Sequence, residues 1–331
     1  MWDDAKVNEK EAASSPTNPI SQPSTTSTVG DPSWRARQLS RRRRTEPSSG
    51  ITVTRRARAV NRLLSVPLNY LSATTVILLA AGMTALYLST QIRDVVTVTV
   101  IIAIIVLANG WSGLVHSPTR YAPALTILVV GIGSTIAVRA TGDLAWATVA
   151  VGVAVVVAAL AEMARPLPRE DLVRSISASV TGALVAILGS AWVGLSSSPV
   201  WSIVMVGTAL IVICAVVGNQ FGTRVRARAV GAVLGGVVGS GLVAGLAMVL
   251  KPHASLINLL TPFNDPASPL LSLTIASLAM GFAIGGVIAF VDIIFGERIR
   301  RCTEAGAFAR GAMKFLLVVM PIYILVRLGA F

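Results

Sequence analysis

From Tyr70 to Phe331 the chain is a succession of apolar runs, each near the roughly 20 residues that an α-helix needs to cross the hydrocarbon core of a bilayer. Nine can be delimited: Tyr70 to Ser89, Val95 to Val115, Tyr121 to Val138, Leu144 to Met163, Ile176 to Leu195, Val200 to Val217, Ala229 to Leu250, Leu270 to Phe295 and Phe315 to Phe331. The second contains the β-branched stretch "VVTVTVIIAIIV", which in water would favour strand. In lipid an open sheet edge leaves backbone groups without partners, so this run is also expected to be helical. The expected fold is therefore all-α: a polytopic integral membrane helical bundle of about nine transmembrane helices over residues 70–331. With 54% hydrophobic and 13% charged residues, the composition has more apolar side chains than a soluble core can absorb.

Residues 1–50 have the opposite character, rich in Ser, Thr, Pro and charge and poor in aliphatics. A segment of that kind cannot bury enough apolar surface to offset its ordering entropy, so a disordered polar and basic cytoplasmic tail is expected there. It lacks the apolar core of a secretory signal peptide. Residues 51–69, with "RRAR" at Arg55 to Arg58 and then Arg62, form a basic juxtamembrane segment suited to an anionic leaflet.

The formal charge of +13 would suggest nucleic acid in a soluble protein. Here 12 of the 28 Lys and Arg precede Tyr70, and most others lie in short connections, so the charge reports membrane orientation and nucleic acid is not the expected partner. With the N-terminus inside, the inner connections hold Arg120, then Arg165, Arg169 and Arg174, then Arg224, Arg226 and Arg228, then Arg298, Arg300, Arg301, Arg310 and Lys314. The outer side keeps Arg93, Arg139 and Lys251, besides Arg327 near the C-terminus. Nine crossings then place the C-terminus outside, in a prokaryotic plasma membrane. Trp111, Trp146, Trp192 and Trp201 fall at predicted helix ends, where an indole suits the interface.

Several chemistries lose their residues under this topology. His116 and His253 fall on opposite faces, and Cys214 and Cys302 have no zinc or disulfide spacing. Neither a G-x-x-x-x-G-K-[ST] phosphate loop nor a G-x-S-x-G elbow is present. No metal and no cofactor is expected, and catalytic residues are not assigned.

Glycine is the recurrent motif. The run "GAVLGGVVGSGLVAG" places Gly231, Gly235 and Gly239 four apart, and Gly241 and Gly245 four apart. Small residues at that spacing let helix backbones approach closely, the main packing device where water supplies no drive. On the next helix Gly281, Gly285, Ala289, Asp292 and Gly296 recur at three or four, so Asp292 should point inward with the small residues. Its expected partners are Asn219, Gln220, Arg224 or Arg226, and Lys314. Glu162 reads as an interfacial acid, and Arg139 with Asp143 as a solvated pair at an outer turn. Pro123, Gly131, Gly133 and Pro321 are positions where helices could kink or unwind, as in transporters.

The order "GNQFGTRVR", "GAVLGGVVGSG", "GGVIAFVDIIFGERIRR" and "MPIYILV" resembles, over about a third of the chain, the C-terminal part of membrane phosphatidate cytidylyltransferases. The resemblance implies a lipid-phosphate enzyme with Mg²⁺ held by acidic residues at the cytoplasmic side, and would match Asp292 to an acidic and Arg298 to a basic position. The family's Ser-Pro-Lys-Lys-Thr segment, Lys-Asp pair and Gly-His-Gly-Gly turn have no counterpart here.

Three functions remain open. A permease would line a path with Asn109, Asn219, Gln220 and Asp292. A lipid-phosphate protein would use Arg224, Arg226, Arg228, Arg298, Arg300 and Arg301 as a clamp for anionic headgroups at the cytoplasmic face. A scaffold would use the glycine ridge to hold a membrane-protein partner or a second copy. The permease reading is preferred, because many small-residue helices around a sparse polar interior suit passage of a solute.

Overall fold

The computed structural model describes residues 68–90, 92–117, 119–164, 171–197, 199–222, 224–249, 269–295 and 303–329. The expectations for the tail and most of the juxtamembrane segment, and those for Arg298, Arg300, Arg301, Gly296, His253 and Cys302, lie outside them.

Among the described residues the regular elements are all helices, without strand. In order the helices are α1 (Leu68–Thr90), α2 (Asp94–Val115), α3 (Tyr121–Thr141), α4 (Ala145–Met163), α5 (Leu172–Gly189), the short α6 (Ala191–Leu195), α7 (Pro199–Gln220), α8 (Val225–Val249), α9 (Pro269–Phe295) and α10 (Glu304–Gly329). Among the described residues eight spans are long and apolar enough to cross a membrane, α5 and α6 counting as one, and α7 supplies a shorter apolar helix over Val204–Gln220. The fold is thus a polytopic helical bundle. The β-branched run of α2 is helical, as the absence of water around its backbone requires.

Turn chemistry closes the connections. Gly142 ends α3 at φ 72° and donates its N–H to the Val138 carbonyl, a left-handed conformation that glycine adopts without Cβ strain. His116 ends α2 in the same region, with its N–H on the Ser112 carbonyl.

α10 is the axis of the assembly. It packs against α1, α2, α5 and α9, and it is the most enclosed of the spans. α3, α4 and α5 pack on one another, as do α7, α8 and α9. α4 is peripheral: Ala154 and Ala158 face inward, while Val149, Val153, Val156 and Leu160 are exposed.

Four expectations need correction. The last helix begins at Glu304 rather than Phe315, because a helix whose polar residues face the protein interior need not start where its hydropathy rises. Neither Pro123 nor Pro321 breaks its helix, and α3 runs unbroken through Gly131 and Gly133. The interruption falls instead at Gly189 and Ser190, where the Ser190 N–H turns to the Ile187 carbonyl in a tighter 3₁₀ step. Trp111 and Trp192 are core residues at 1% and 0% exposure, not interfacial ones. Each indole N–H finds a buried carbonyl, Trp111 on Ala178 at 2.8 Å and Trp192 on Phe315 at 3.0 Å, and the Trp192 ring stacks on Phe315. Trp146 is half exposed. Lastly, Arg139 pairs with Asp94 at 2.8 Å, while Asp143 accepts the Ala145 N–H at the start of α4.

Candidate functional site: a buried charge cluster

Close helix crossings bring the site residues together. Along α8, Gly231, Gly235 and Gly239 face α7. A Cβ added to Gly231 would collide with the Gly218 carbonyl oxygen, and one on Gly235 would lie 2.5 Å from the Cys214 carbonyl oxygen. One on Gly239 would lie 3.0 Å from Ile211 Cα. The adjoining face of α8 meets α9: a Cβ on Gly281 would strike the Gly236 carbonyl oxygen, and one on Gly285 would sit 2.6 Å from Val233 Cα. The three helices therefore touch backbone to backbone, and the α9 stripe that starts at Gly281 and Gly285 carries Asp292 inward two turns later.

Asp292 is 2% exposed. Its Oδ1 accepts both Arg310 Nη2 at 2.5 Å and Lys314 Nζ at 2.6 Å, and its Oδ2 accepts Asn219 Nδ2 at 2.5 Å. Arg310 and Lys314 are each 2% exposed and Asn219 is 3% exposed. The two cations stand four residues apart on α10 and so share one face, a like-charge spacing that is unfavourable by itself. The carboxylate between them makes the arrangement tenable, and it ties the end of α7 and the end of α9 to the beginning of α10.

Of the expected partners, Asn219 and Lys314 reach Asp292. Gln220 is half-buried and turns back to the Val216 carbonyl, and Arg224 and Arg226 are exposed. Arg228 is half-buried, with Nε on the Gly222 carbonyl at 2.9 Å. Asn109 is exposed and bonds to the Ile105 carbonyl one turn back, so it joins no interior site. Arg310 was expected in a connection, and the longer α10 moves it into the bundle.

A second buried acid lies toward the same end. Glu162, read from the sequence as interfacial, is 1% exposed at the close of α4. Its Oε1 accepts the Ser175 hydroxyl of α5 and, at 3.4 Å, that of Thr119, and the two hydroxyls are 2.7 Å apart. The sequence carries a signal for this site: Ser175, Ala178, Ser179, Gly182, Ala183, Ala186 and Gly189 form a small-residue stripe along α5 at three- and four-residue spacing.

The chain matches no family model, no curated protein and no solved structure. Chemistry must therefore be argued from the cluster itself. Among the described residues no three His, Cys, Asp or Glu converge as metal ligands. Asp292 in particular is ill suited to the Mg²⁺ implied by the cytidylyltransferase resemblance, because two cations and an amide N–H already occupy its oxygens.

Proposed function

We propose that this multi-pass membrane protein is permease-like, sits in a prokaryotic plasma membrane with its N-terminus inside, and uses the Asp292 cluster as the inner barrier of a solute path. The observation that carries this reading is an ionic network, 2–3% exposed, linking three helices toward one end of an apolar bundle. Ionisable groups held in a bundle interior are expensive, and in membrane proteins they mark solute and ion pathways. A scaffold has no use for them, since the glycine contacts alone would join its helices. The cluster also lies where movement is simplest to imagine: α7, α8 and α9 cohere by backbone contact, and the carboxylate bridges from that group to α10.

The test needs no knowledge of the solute. Ala289 is buried one turn before Asp292 on the same stripe. In a Cys214→Ser, Cys302→Ser background, Ala289→Cys should react with a membrane-impermeant thiol reagent applied to either face of sealed vesicles. The exposed Leu234→Cys should stay unreactive in the lipid. Labelling of Ala289→Cys from one face alone, or from neither, would remove the permease reading.

A further inference from the structure

The bundle divides by the kind of contact its helices make. α7, α8 and α9 follow one another in the chain and touch backbone to backbone, with α8 packed on α7 and α9. α10 is fastened in the same manner, but to other helices. A Cβ on Gly110 of α2 would collide with the Ala305 carbonyl oxygen of α10, and one on Gly311 of α10 would lie 2.6 Å from the Ser72 carbonyl oxygen of α1. Gly189 of α5 receives Leu316 of α10, and the Trp192 indole of α6 donates to the Phe315 carbonyl. By these contacts α10 belongs with α1, α2, α5 and α6.

Contacts change in kind where the two bodies meet. The α7–α9 group joins the remainder mainly along α1–α7 and α9–α10. Among the described glycines that have a close neighbour, none meets the opposite body. The four helices concerned share instead a core of flexible and branched side chains, among them Met83 of α1, Met205 of α7, Ile288 of α9 and Ile322 of α10. Packed helices slide by small changes of rotamer in such side chains, whereas backbones in contact must travel together. Asp292 stands on this boundary. Asn219 holds it from within its own body, and Arg310 and Lys314 hold it from the other.

We propose that α7, α8 and α9 move as one rigid body against a second body built on α10, and that the salt bridges of Asp292 are the latch between them. This deepens the reading of the cluster as the inner barrier of a path and rests on it: the barrier opens when Asp292 and Asn219 leave Arg310 and Lys314 together. Two discrete positions are expected, because closely packed interfaces are bistable and do not deform continuously.

The experiment places pairs of spin labels on the full-length protein in nanodiscs, in a Cys214→Ser, Cys302→Ser background, and reads their separation by double electron–electron resonance. The label sites Phe221, Leu246, Val173 and Ile324 are all exposed. Phe221→Cys with Leu246→Cys lies within α7–α9, Val173→Cys with Ile324→Cys lies within the body of α10, and Phe221→Cys with Val173→Cys spans the two. Each label of the spanning pair also occurs in an internal pair, so local mobility of a label is controlled. With the cluster intact, the spanning distribution should be wider than either internal one. Asp292→Leu combined with Arg310→Met and Lys314→Met removes the latch without leaving one ion buried alone. In that variant the spanning pair should gain a second distance, and the internal pairs should stay as they were. A cluster that only stabilises the fold would leave the spanning pair unmoved. Should the triple variant fail to fold, the widths with the cluster intact decide alone. Equal widths in all three pairs, an unmoved spanning pair in the folded triple variant, or a second distance within α7–α9 overturns the proposal. The two readings fail separately: two-sided labelling of Ala289→Cys with three unmoved pairs leaves a path without this motion, and a second spanning distance with one-sided labelling leaves the motion without the path.

Discussion

The two helix groups that flank α10 use glycine in different ways. In α7, α8 and α9 most glycines at a crossing face backbone: Gly235 faces the Cys214 carbonyl, Gly281 the Gly236 carbonyl and Gly285 the Val233 Cα, while Gly207 receives the Val243 side chain. In α3 and α5 the glycines at a crossing face side chains. Gly131 receives Ala186 and Ile104, Gly182 receives Ile127 and Trp111, and Gly189 receives Leu316 of α10. The first is a seam between cylinders, and the second is a set of sockets filled by knobs. A seam has no slack, since backbone cannot rotate away, whereas a socket filled by Ile127 or Leu316 can adjust by a change of rotamer. The polar groups differ likewise: the seam ends in a carboxylate shared by two cations, and α4 with α5 ends in a carboxylate engaged by hydroxyls.

The comparison is broken most severely at Asp292. Asp292→Asn strips two buried cations of the carboxylate they share and should cost about 3–5 kcal/mol, as loss of one partner from a buried pair does. The measurement is the unfolding midpoint in detergent, with Glu162→Gln as the counterpart. Glu162→Gln should cost less, because an amide still accepts from Ser175 and Thr119. Equal losses at the two acids would show that the clamp on α10 has no special role.

Next in size is a test of seam against socket. Gly235→Ala places a methyl against the Cys214 carbonyl and Ala215 Cα, so α7 and α8 must part; overpacking of this kind costs about 1–3 kcal/mol. Gly189→Ala meets the end of the Leu316 side chain, which can swing, and should cost less than Gly235→Ala by unfolding midpoint. The reverse order would mean that the sockets, not the seam, fix the bundle.

A smaller effect probes the core tryptophans. Trp192→Phe keeps a ring to stack on Phe315 and removes the indole N–H from the Phe315 carbonyl, a loss of about 0.5–1.5 kcal/mol. The near-ultraviolet circular dichroism of the bundle and its unfolding midpoint report the two contributions.

What the sequence made legible follows from these same physical differences. The seam has a repeat, glycine at every fourth residue of α8, and the stripe of α9 points Asp292 inward by spacing alone. The sockets have no glycine repeat, since Gly182 and Gly189 sit seven apart within a stripe of mixed small residues, and the side chains that fill them come from other helices. Arg310 was hidden because hydropathy registers what a residue is and not which way it faces. A charged residue at the start of a transmembrane helix looks like a loop residue until α9 supplies its counter-ion. Glu162 was hidden for the same reason: a carboxylate at the end of an apolar run looks interfacial until the hydroxyls of Ser175 and Thr119 are seen to face it. The tryptophans misled because a helix end in sequence can be a helix crossing in space.

The smallest effect separates the two halves of the glycine pattern in α8 itself. Gly241 and Gly245 repeat at the same spacing as the seam, yet a Cβ on either would meet nothing within 4 Å, and both residues are exposed beside Leu242 and Leu246. Spacing alone would assign them to the seam, and the structure places them on an outer face. In a lipid environment with that face uncovered, Gly241→Ala and Gly245→Ala cannot overpack anything, and each removes the backbone freedom that glycine retains in the unfolded chain. Each should therefore leave stability unchanged or raise it by up to about 1 kcal/mol. The comparison is to be made in nanodiscs, where a second copy or another membrane protein is free to be present or absent, with the unfolding midpoint read beside the oligomeric state. A loss of stability accompanied by a change in oligomeric state would mean that this pair belongs to a second seam, closed between chains instead of within one. Unchanged or higher stability confines the seam to Gly231, Gly235 and Gly239 on one face and Gly236 on the other, and leaves the outer half of α8 to the lipid.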